Sequence, residues 1–534
     1  MSVTPIDDRT CRAFDRVPSD ANPGALLRFV VGEDPGPRPM SNADMAAELG
    51  DPFATLLLRA GTFPRTAEAL LAGIDDATAA GDPLRSQMTF LLSEGSQLPD
   101  GPDAREANRG MRFIIARGSA PDGIDLLVSA ASPTAGVIEV MAWDRRAGGF
   151  NLYRTVSDGR AWAFAGNSRH AISAATGGKG PFESHPSGSL LMKELKFPWL
   201  HWHSPPANIF ARAFEPGDER ANHRWFKDKL GADVLETSVA IPSIDRWTAK
   251  RFEGLIGADG SFQRPGRVVE QVVTTPTVNI VTSNRSSGAV TNGIEVDLPA
   301  TFFVDADALA GPQLGLAAPP GFLVAGEHYL AALEQFGSAL VDRTTGFRHP
   351  REPGRFADTH FAFAVPERAF EDQSTPRAAI EAGLLTPRLA ACLLMVDFPN
   401  PVFSSRRAAL LAHAPATAPA TAAYSEEMAN RILAAADAAG DGSPEREFAD
   451  RWAAGADFVA PFDALLQAYY DAVTARLASR AGYFDVVRLA ESRRLRVRAM
   501  PIGAEFDLLF ATLRDDTAPR PLRMTPTATI DEET

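Results

Sequence analysis

The stretch from Val137 to Ala165, VIEVMAWDRRAGGFNLYRTVSDGRAWAFA, decides the fold class. Its apolar and β-branched runs each have the length of a strand, and RRAGG and SDG separate them as hairpin-type connections. Strands so close together along the chain favour antiparallel pairing. This stretch therefore predicts consecutive hairpins within one β-sheet.

Strand and helix patterns continue on both sides of this stretch. Further strands are predicted at Met111–Ala116, Asp125–Ala130, Ser189–Phe197, Trp199–His203, Arg267–Val273, Thr277–Thr282, Gly293–Pro299, Thr359–Val365 and Leu389–Phe398. Helices are predicted at Ser41–Leu49, Thr66–Ala80, Glu219–Leu230, Glu327–Val341, Pro366–Gly383 and Ser404–Ala412, from capping residues or helical spacing. We expect an α+β protein with a central β-rich region, its sheet antiparallel or mixed, with inserted helices and a helical C-terminal region.

The same patterns divide the chain into five segments. Residues 1–108 form a helical and turn-rich N-terminal segment, and residues 109–413 form the central β-rich α+β domain. APATAPATAA at 414–423 has the composition of a linker. Residues 424–513 are expected to be helical, and the Pro/Thr/Asp/Glu-rich residues 514–534 are expected to be disordered.

Composition and charge exclude several classes of function. The formal net charge of the 534 residues is −14, which disfavours binding to nucleic acid and to anionic lipid surfaces. With two cysteines and no C-x-x-C pair, the chain has neither a disulfide framework nor a thiolate zinc site. The N-terminus lacks the apolar core of a signal peptide, and no apolar run approaches the ~20 residues of a membrane helix. We therefore expect a cytoplasmic protein, and its Ala, Arg and Pro content is typical of GC-rich bacterial genomes.

Histidine and tryptophan concentrate in one region of the chain. Of the nine histidines, five fall between residues 170 and 223, and the centre of the region is Trp199-Leu200-His201-Trp202-His203. In an extended segment His201 and His203 share a face about 6.5–7 Å apart, so both imidazoles can converge on one ion. Zinc, iron and copper all accept imidazole ligands. The same residues can also fill a sheet face as ordinary core.

This concentration leads to the first hypothesis for function. His201 and His203 would bind the metal, and His170, His185 or His360 would complete the ligand set. Glu194 would act as a carboxylate ligand, a partner of a ligand or an acid–base group. The tryptophans would line a desolvated pocket. The hypothesis is a metal-dependent enzyme, such as an oxidoreductase, acting on a small apolar or aromatic substrate.

Two alternatives remain open at this stage. Gly166-Asn167-Ser168-Arg169-His170 follows a strand and precedes AISAA, which is the strand–turn–helix context of a nucleophile elbow, although His170 stands where glycine is expected. A metal-free hydrolase or acid–base enzyme would use Ser168 with His170, or His201 with Glu194. A non-catalytic binding or assembly protein would use its aromatic residues as core or interface. The sequence does not determine the oligomeric state.

Overall fold

The structure is a computed structural model. It describes residues 24–92, 111–118, 123–157, 159–183, 187–190, 214–283, 289–336, 362–420, 422–499 and 521–533, and the single residues Phe14, Val17, His185, Ala211 and Arg285. Their contacts form two compact units: unit 1 lies before Arg251, and unit 2 begins at Arg251. No helix within these ranges is long and apolar enough to span a membrane.

A sheet of eight strands forms the centre of unit 1. The strands are β1 (Leu26–Arg28), β2 (Arg38–Pro39), β3 (Gln87–Leu92), β4 (Arg112–Arg117), β5 (Leu126–Ala130), β6 (Ile138–Asp144), β7 (Gly149–Val156) and β8 (Ala161–Asn167). Their order across the sheet is β2-β1-β8-β7-β6-β5-β4-β3. β1 runs parallel to β8, and the other neighbours in this sheet are antiparallel. The predicted α+β class with a mixed central sheet is confirmed.

The stretch Val137–Ala165 forms three consecutive strands, as its pattern predicts. β6 turns into β7 where the Gly148 amide donates to the Asp144 carbonyl over 2.8 Å. In the turn between β7 and β8, Ser157 and Gly159 have positive φ angles of 52° and 79°. A positive φ is what tight hairpin turns require, so the SDG signal and the backbone agree.

Seven α-helices belong to the first half of the described chain. They are α1 (Asn42–Glu48), α2 (Pro52–Leu56), α3 (Ala67–Ala77), α4 (Ser168–Ala171), α5 (Arg224–Lys227), α6 (Ala232–Leu235) and α7 (Ile241–Glu253), with a π-helix at Glu236–Ala240 before α7. α1 and α3 confirm two predictions, because Ser41 and Thr66 each cap a helix by accepting an amide three residues later. The predicted helix Glu219–Leu230 contains only short helical turns.

One face of the unit 1 sheet is buried by aromatic packing. The Phe53 ring of α2 lies 4.8 Å from the Trp162 ring of β8 and 5.1 Å from the Tyr153 ring of β7. The Trp162 indole donates to the Pro64 carbonyl over 2.8 Å, which satisfies its buried N–H. Trp162 is therefore a core residue, and its hydrogen bond joins the sheet to the segment of chain before α3.

Two fully buried carboxylates join α2 to the same sheet. Asp51 accepts the Ala54 amide at the start of α2, and Asp144 accepts the Gly50 amide over 2.6 Å. The Asn151 side-chain amide bridges them, with Nδ2 lying 2.8 Å from Asp51 Oδ2 and 3.3 Å from Asp144 Oδ2. Burial raises the pKa of Asp51 above its usual value. Backbone N–H groups, the Asn151 side-chain amide and the Tyr153 hydroxyl donate to these carboxylates.

Unit 2 combines helices with short antiparallel strand pairs. The pairs are β9 (Val278–Thr282) with β12 (Ala364–Arg368), β10 (Glu295–Leu298) with β11 (Phe322–Ala325), and β13 (Leu522–Met524) with β14 (Ile530–Glu532). The helices are α8 (Pro265–Val273), α9 (Ala306–Leu309), α10 (Gly326–Phe336), α11 (Phe370–Glu381), α12 (Pro387–Leu394), α13 (Ser405–Ala409), α14 (Ala422–Ala438), α15 (Pro444–Trp452), α16 (Val459–Leu477) and α17 (Arg480–Ala499).

Two predicted strands are helices. Arg267–Val273 lies in α8, where Val268, Val269, Val272 and Val273 are buried on one side. Most of Leu389–Phe398 lies in α12, which starts with a Thr386 cap and a proline at its first position. In α12 the residues Leu389–Leu394 are all buried, so they form a continuous apolar run that is also typical of a buried strand. In α8 the paired valines, a residue type that favours strands, alternate with the exposed Arg267 and Glu270 at helical spacing. The strands near Thr277–Thr282 and Gly293–Pro299 are confirmed as β9 and β10.

Two segments near the C-terminus are packed into unit 2. In the Ala/Pro/Thr stretch 414–423, Ala418 and Ala420 are buried, and the Phe262 amide donates to the Ala418 carbonyl over 3.0 Å. Residues 521–533 form the hairpin β13–β14, although the sequence predicts disorder from residue 514. The polar composition of residues 514–534 predicts too little apolar surface for an ordered segment. The buried side chains of Met524 and Ala528 nevertheless hold this hairpin in unit 2.

Cys392 in α12 is fully buried, and burial raises its pKa to about 12. Only the thiolate reacts readily, so we expect iodoacetamide at pH 8 to leave Cys392 unmodified in the folded chain and to modify it in guanidinium. Peptide-resolved mass spectrometry measures each cysteine separately. Equal modification rates with and without denaturant would contradict this burial.

Candidate functional site

The predicted histidine site falls largely in ranges that the structure does not describe. His201, His203, His360 and Glu194 lie in these ranges. His170 and His185 are described, and both belong to unit 1. Of the five predicted metal ligands, two therefore have a described environment.

His170 lies in α4 and contacts polar groups on both sides of its ring. The Asn167 amide donates to Nδ1 over 3.1 Å, and Nε2 lies 3.3 Å from Glu33 Oε2. Burial lowers the pKa of the imidazole below its usual value. Both ring nitrogens thus lie within hydrogen-bond reach of groups in unit 1.

His185 is buried, and its Nδ1 lies 3.1 Å from the Ser189 carbonyl oxygen. Among the described residues, no group of three or more His, Cys, Asp or Glu side chains could hold a metal ion. This finding overturns the predicted metal-dependent enzyme. Two alternate histidines are a weak pattern, because a metal site needs further ligands that only the tertiary structure can supply.

Ser168 is fully buried and supports the backbone of the sheet. Its Oγ accepts the Phe150 amide over 2.8 Å, while Asn167 caps α4 by accepting the Arg169 amide over 3.0 Å. The Ser168 hydroxyl therefore hydrogen-bonds to Phe150, whereas the His170 ring lies beside Asn167 and Glu33. The GNSRH motif forms a capped helix start, which corrects the Ser–His pair of the metal-free hydrolase hypothesis. The other acid–base pair, His201 with Glu194, lies outside the described residues.

The described tryptophans of the histidine-rich region are core residues. Trp162 and Trp225 are each 1% exposed. The Trp225 ring packs 5.7 Å from Phe113 and 5.1 Å from His223, and His223 Nε2 lies 2.9 Å from Glu68 Oε1. These rings fill the interior of unit 1, and their contacts do not outline a substrate pocket.

A different set of residues in unit 2 holds the C-terminal hairpin. The segment Asp397–Phe403, which we call the clamp loop, connects the chain after α12 to α13. Asp397 and Phe403 have φ angles of 51° and 63°. Left-handed backbone at residues other than glycine costs about 1–3 kcal/mol each and persists only where surrounding contacts impose it.

Three arginines impose this conformation by donating to the carbonyl groups of the clamp loop. Arg407 Nη2 lies 3.0 Å from the Asn400 carbonyl oxygen and 2.9 Å from that of Pro401. Arg493 Nη2 donates to the Pro399 carbonyl over 3.2 Å. Arg496 Nη1 donates to the Phe403 carbonyl over 2.9 Å.

These arginines carry charge into the interior of unit 2. Arg407 and Arg493 are 1% and 2% exposed, and burial lowers the pKa of each to about 10. Both remain protonated at neutral pH, because that pKa lies well above 7. Their guanidinium groups are fixed donors that cannot leave the loop without losing several buried hydrogen bonds.

The Asn400 side chain, at the centre of the clamp loop, binds the backbone of Met524. Its Oδ1 accepts the Met524 amide over 2.9 Å, and its Nδ2 donates to the Met524 carbonyl over 2.8 Å. Oδ1 also accepts from Arg493 over 3.2 Å, and Nδ2 also donates to Asp397 over 2.8 Å. The cation on one side and the carboxylate on the other fix which atom is oxygen and which is nitrogen.

Further contacts hold the residues around Met524. Ser492 Oγ accepts the Leu522 amide over 2.9 Å. The Tyr469 hydroxyl lies 3.0 Å from Met524 Sδ and 2.8 Å from the Phe303 carbonyl oxygen. The Met524 side chain is 1% exposed. The site thus combines hydrogen bonds to an extended backbone with one enclosed apolar pocket.

Sequence reasoning missed this site. In the sequence, Arg406-Arg407 and Arg493-Arg494 look like ordinary basic pairs, yet three of these four arginines are buried. A usable signal exists in α17, where Leu489 and Val497 lie four residues on either side of Arg493 and are buried with it. An arginine within an apolar helical stripe indicates a buried donor.

Comparison with protein family models, with curated protein sequences and with solved structures finds no match to this chain. A functional conclusion therefore rests on contacts within the molecule. The clamp loop and its partner Met524 provide the most complete set of such contacts.

Replacing Ser168 tests its position in unit 1. We expect Ser168→Ala to lower the free energy of unfolding by about 1–3 kcal/mol, because the buried Phe150 amide loses its acceptor. Ser86→Ala, at an exposed serine of the same unit, is the matched control and should change stability by less than about 0.5 kcal/mol. Guanidinium unfolding followed by tryptophan fluorescence measures both, and equal effects would contradict the assigned contact.

Proposed function

We propose that unit 2 is a peptide-binding unit and that its own C-terminal hairpin, Pro521–Glu533, is the resident ligand. The observation that carries the proposal is the Asn400 amide, which makes two hydrogen bonds to the side chains of Asp397 and Arg493 and two to the Met524 backbone. The proposal uses none of the histidines, serines or tryptophans of the sequence-based hypotheses.

The chemistry of the site suits an extended peptide. A side-chain amide that satisfies both backbone groups of one residue does what a neighbouring β-strand does, so it recognises extended backbone rather than a particular side chain. The enclosed Met524 side chain then adds selectivity for a long, unbranched apolar residue. Backbone hydrogen bonds supply affinity, and the pocket supplies specificity.

The proposal requires that the resident hairpin can leave this site while the rest of unit 2 stays folded. β13 and β14 have three residues each, and a two-stranded hairpin of that size is only marginally stable alone. The chain between Ala499 and Pro521 contains enough residues to reach about 70 Å when extended. We expect a competing peptide to be able to displace the hairpin.

The expected cellular location is part of this proposal. The acidic composition and the two cysteines support the cytoplasm, where peptide segments of other proteins are accessible. Peptides would be the partner class.

Asn400→Asp tests the central contact within the full chain. The substitution preserves the size of the side chain but replaces Nδ2, which donates two hydrogen bonds, with an oxygen. That oxygen faces two acceptors, the Met524 carbonyl and the Asp397 carboxylate. We expect hydrogen–deuterium exchange of the amides of 522–524 to accelerate at least about tenfold, since their docking is weakened. Asn430→Asp, at an exposed asparagine of α14, is the matched control. Unchanged exchange in a folded Asn400→Asp protein would refute the proposal.

A second measurement tests binding in trans. Met524→Asp places a charge at a buried position and should expel the hairpin in the full chain. A fluorescein-labelled peptide with the sequence of Pro521–Glu533 should then bind, measured by anisotropy. The wild-type chain should bind it more weakly, because its tethered hairpin competes at an effective concentration near the millimolar range. Binding that persists after Asn400→Asp is added to Met524→Asp would show that the peptide uses another surface.

A further inference from the structure

A charged residue at the end of the second strand of the C-terminal hairpin makes contacts that are separate from those of Met524. The Glu533 carboxylate forms an ion pair with Arg496, and its Oε1 accepts the Ser405 hydroxyl over 2.5 Å. The side chains of Arg496 and Glu533 are 20% and 16% exposed. The pair is therefore partly shielded from solvent, where an ion pair is stronger than at an open surface.

We infer that the site is selective for acidic peptide hairpins, in which an apolar residue occupies the Met524 pocket and a carboxylate on the returning strand binds Arg496 and Ser405. This inference rests on the proposed peptide-binding function and names its ligand class. Arg496 and Ser405 are the specificity-determining residues.

Arg496 is suited to this role because it contacts both strands of the hairpin. Its Nη2 lies 3.5 Å from the Leu522 carbonyl oxygen on β13 and also pairs with Glu533, which follows β14. Its Nη1 is already fixed by the Phe403 carbonyl of the clamp loop. The guanidinium plane is thus oriented before the ligand's carboxylate arrives, so little side-chain freedom is lost on binding.

The geometry of the hairpin sets the distance between the two recognised groups. Met524 pairs with Ile530, Leu522 pairs with Glu532, and the Glu533 amide donates to the Pro521 carbonyl over 2.7 Å. A single extended strand would carry any later carboxylate away from Arg496, at about 3.3 Å per residue. The ligand must therefore turn back on itself, as the resident hairpin does.

A neutral ligand would leave Arg496 without its carboxylate. Glu533 is the one carboxylate that pairs with Arg496 within the described ranges. A partly buried cation that loses its partner retains the cost of its desolvation, so peptides without the acid are disfavoured. Selectivity therefore follows from the penalty for mismatched ligands as well as from the bond to matched ones.

Variant peptides test this inference without altering the protein. In the Met524→Asp full chain, we expect the Pro521–Glu533 peptide to bind at least about tenfold more weakly with Glu533→Gln, and more weakly still with Glu533→Lys. Asp531→Asn is the matched control, because Asp531 is exposed and has no side-chain hydrogen bond or ion pair with any other described residue. Equal affinities for all four peptides would overturn the inference.

A charge exchange provides the complementary test. Added to the Met524→Asp chain, Arg496→Glu should reverse the preference, so that the Glu533→Lys peptide binds more tightly than the unmodified one. Should Arg496→Glu fail to fold, Ser405→Ala gives the second readout and should reduce the preference for the acid.

Loss of binding with Asn400→Asp, but no dependence on Glu533, would refute the acidic ligand class and leave the peptide-binding function standing. Full binding despite Asn400→Asp would refute the function itself.

Discussion

The architecture of unit 2 depends on buried arginines that donate to backbone carbonyl groups. Arg407 and Arg493 reach the clamp loop from α13 and α17 and hold it in a conformation with left-handed residues at both ends. Burying a guanidinium group is costly, and here carbonyl oxygens and the nearby Asp397 offset that cost. Because these donors are rigid, the loop presents Asn400 in one orientation.

In unit 1, buried carboxylates rather than guanidinium groups hold the backbone in place. The buried carboxylates of Asp51 and Asp144 accept backbone amides and tie α2 to the sheet. An asparagine stands at the centre of each arrangement. Asn151 connects the two carboxylates of unit 1. Asn400 lies between a carboxylate and an arginine, and its Oδ1 and Nδ2 each make one further hydrogen bond to Met524. Because of that difference, Asn400 also holds the backbone of a distant segment of the chain.

The parts of the fold that could be predicted are those encoded locally. The hairpins of Val137–Ala165 follow from strand length and turn chemistry, and α1 and α3 follow from a capping residue and helical spacing. The error at α12 arises because burial on every side removes the periodicity, and the error at α8 arises because valine favours strands although its spacing there is helical. The hairpin at 521–533 was missed because polar composition hides the contribution of Met524 and Ala528.

The sequence by itself determined the α+β class, the central hairpins, the acidic surface charge and the scarcity of cysteine, because each of these depends on composition or on neighbours along the chain. Only the tertiary structure decided which side chains act together. Asn400 is separated from Arg493 by 93 residues and from Met524 by 124. Hydrogen bonds between such distant residues leave no periodic pattern in the sequence, so they exist as a site only once the chain has folded.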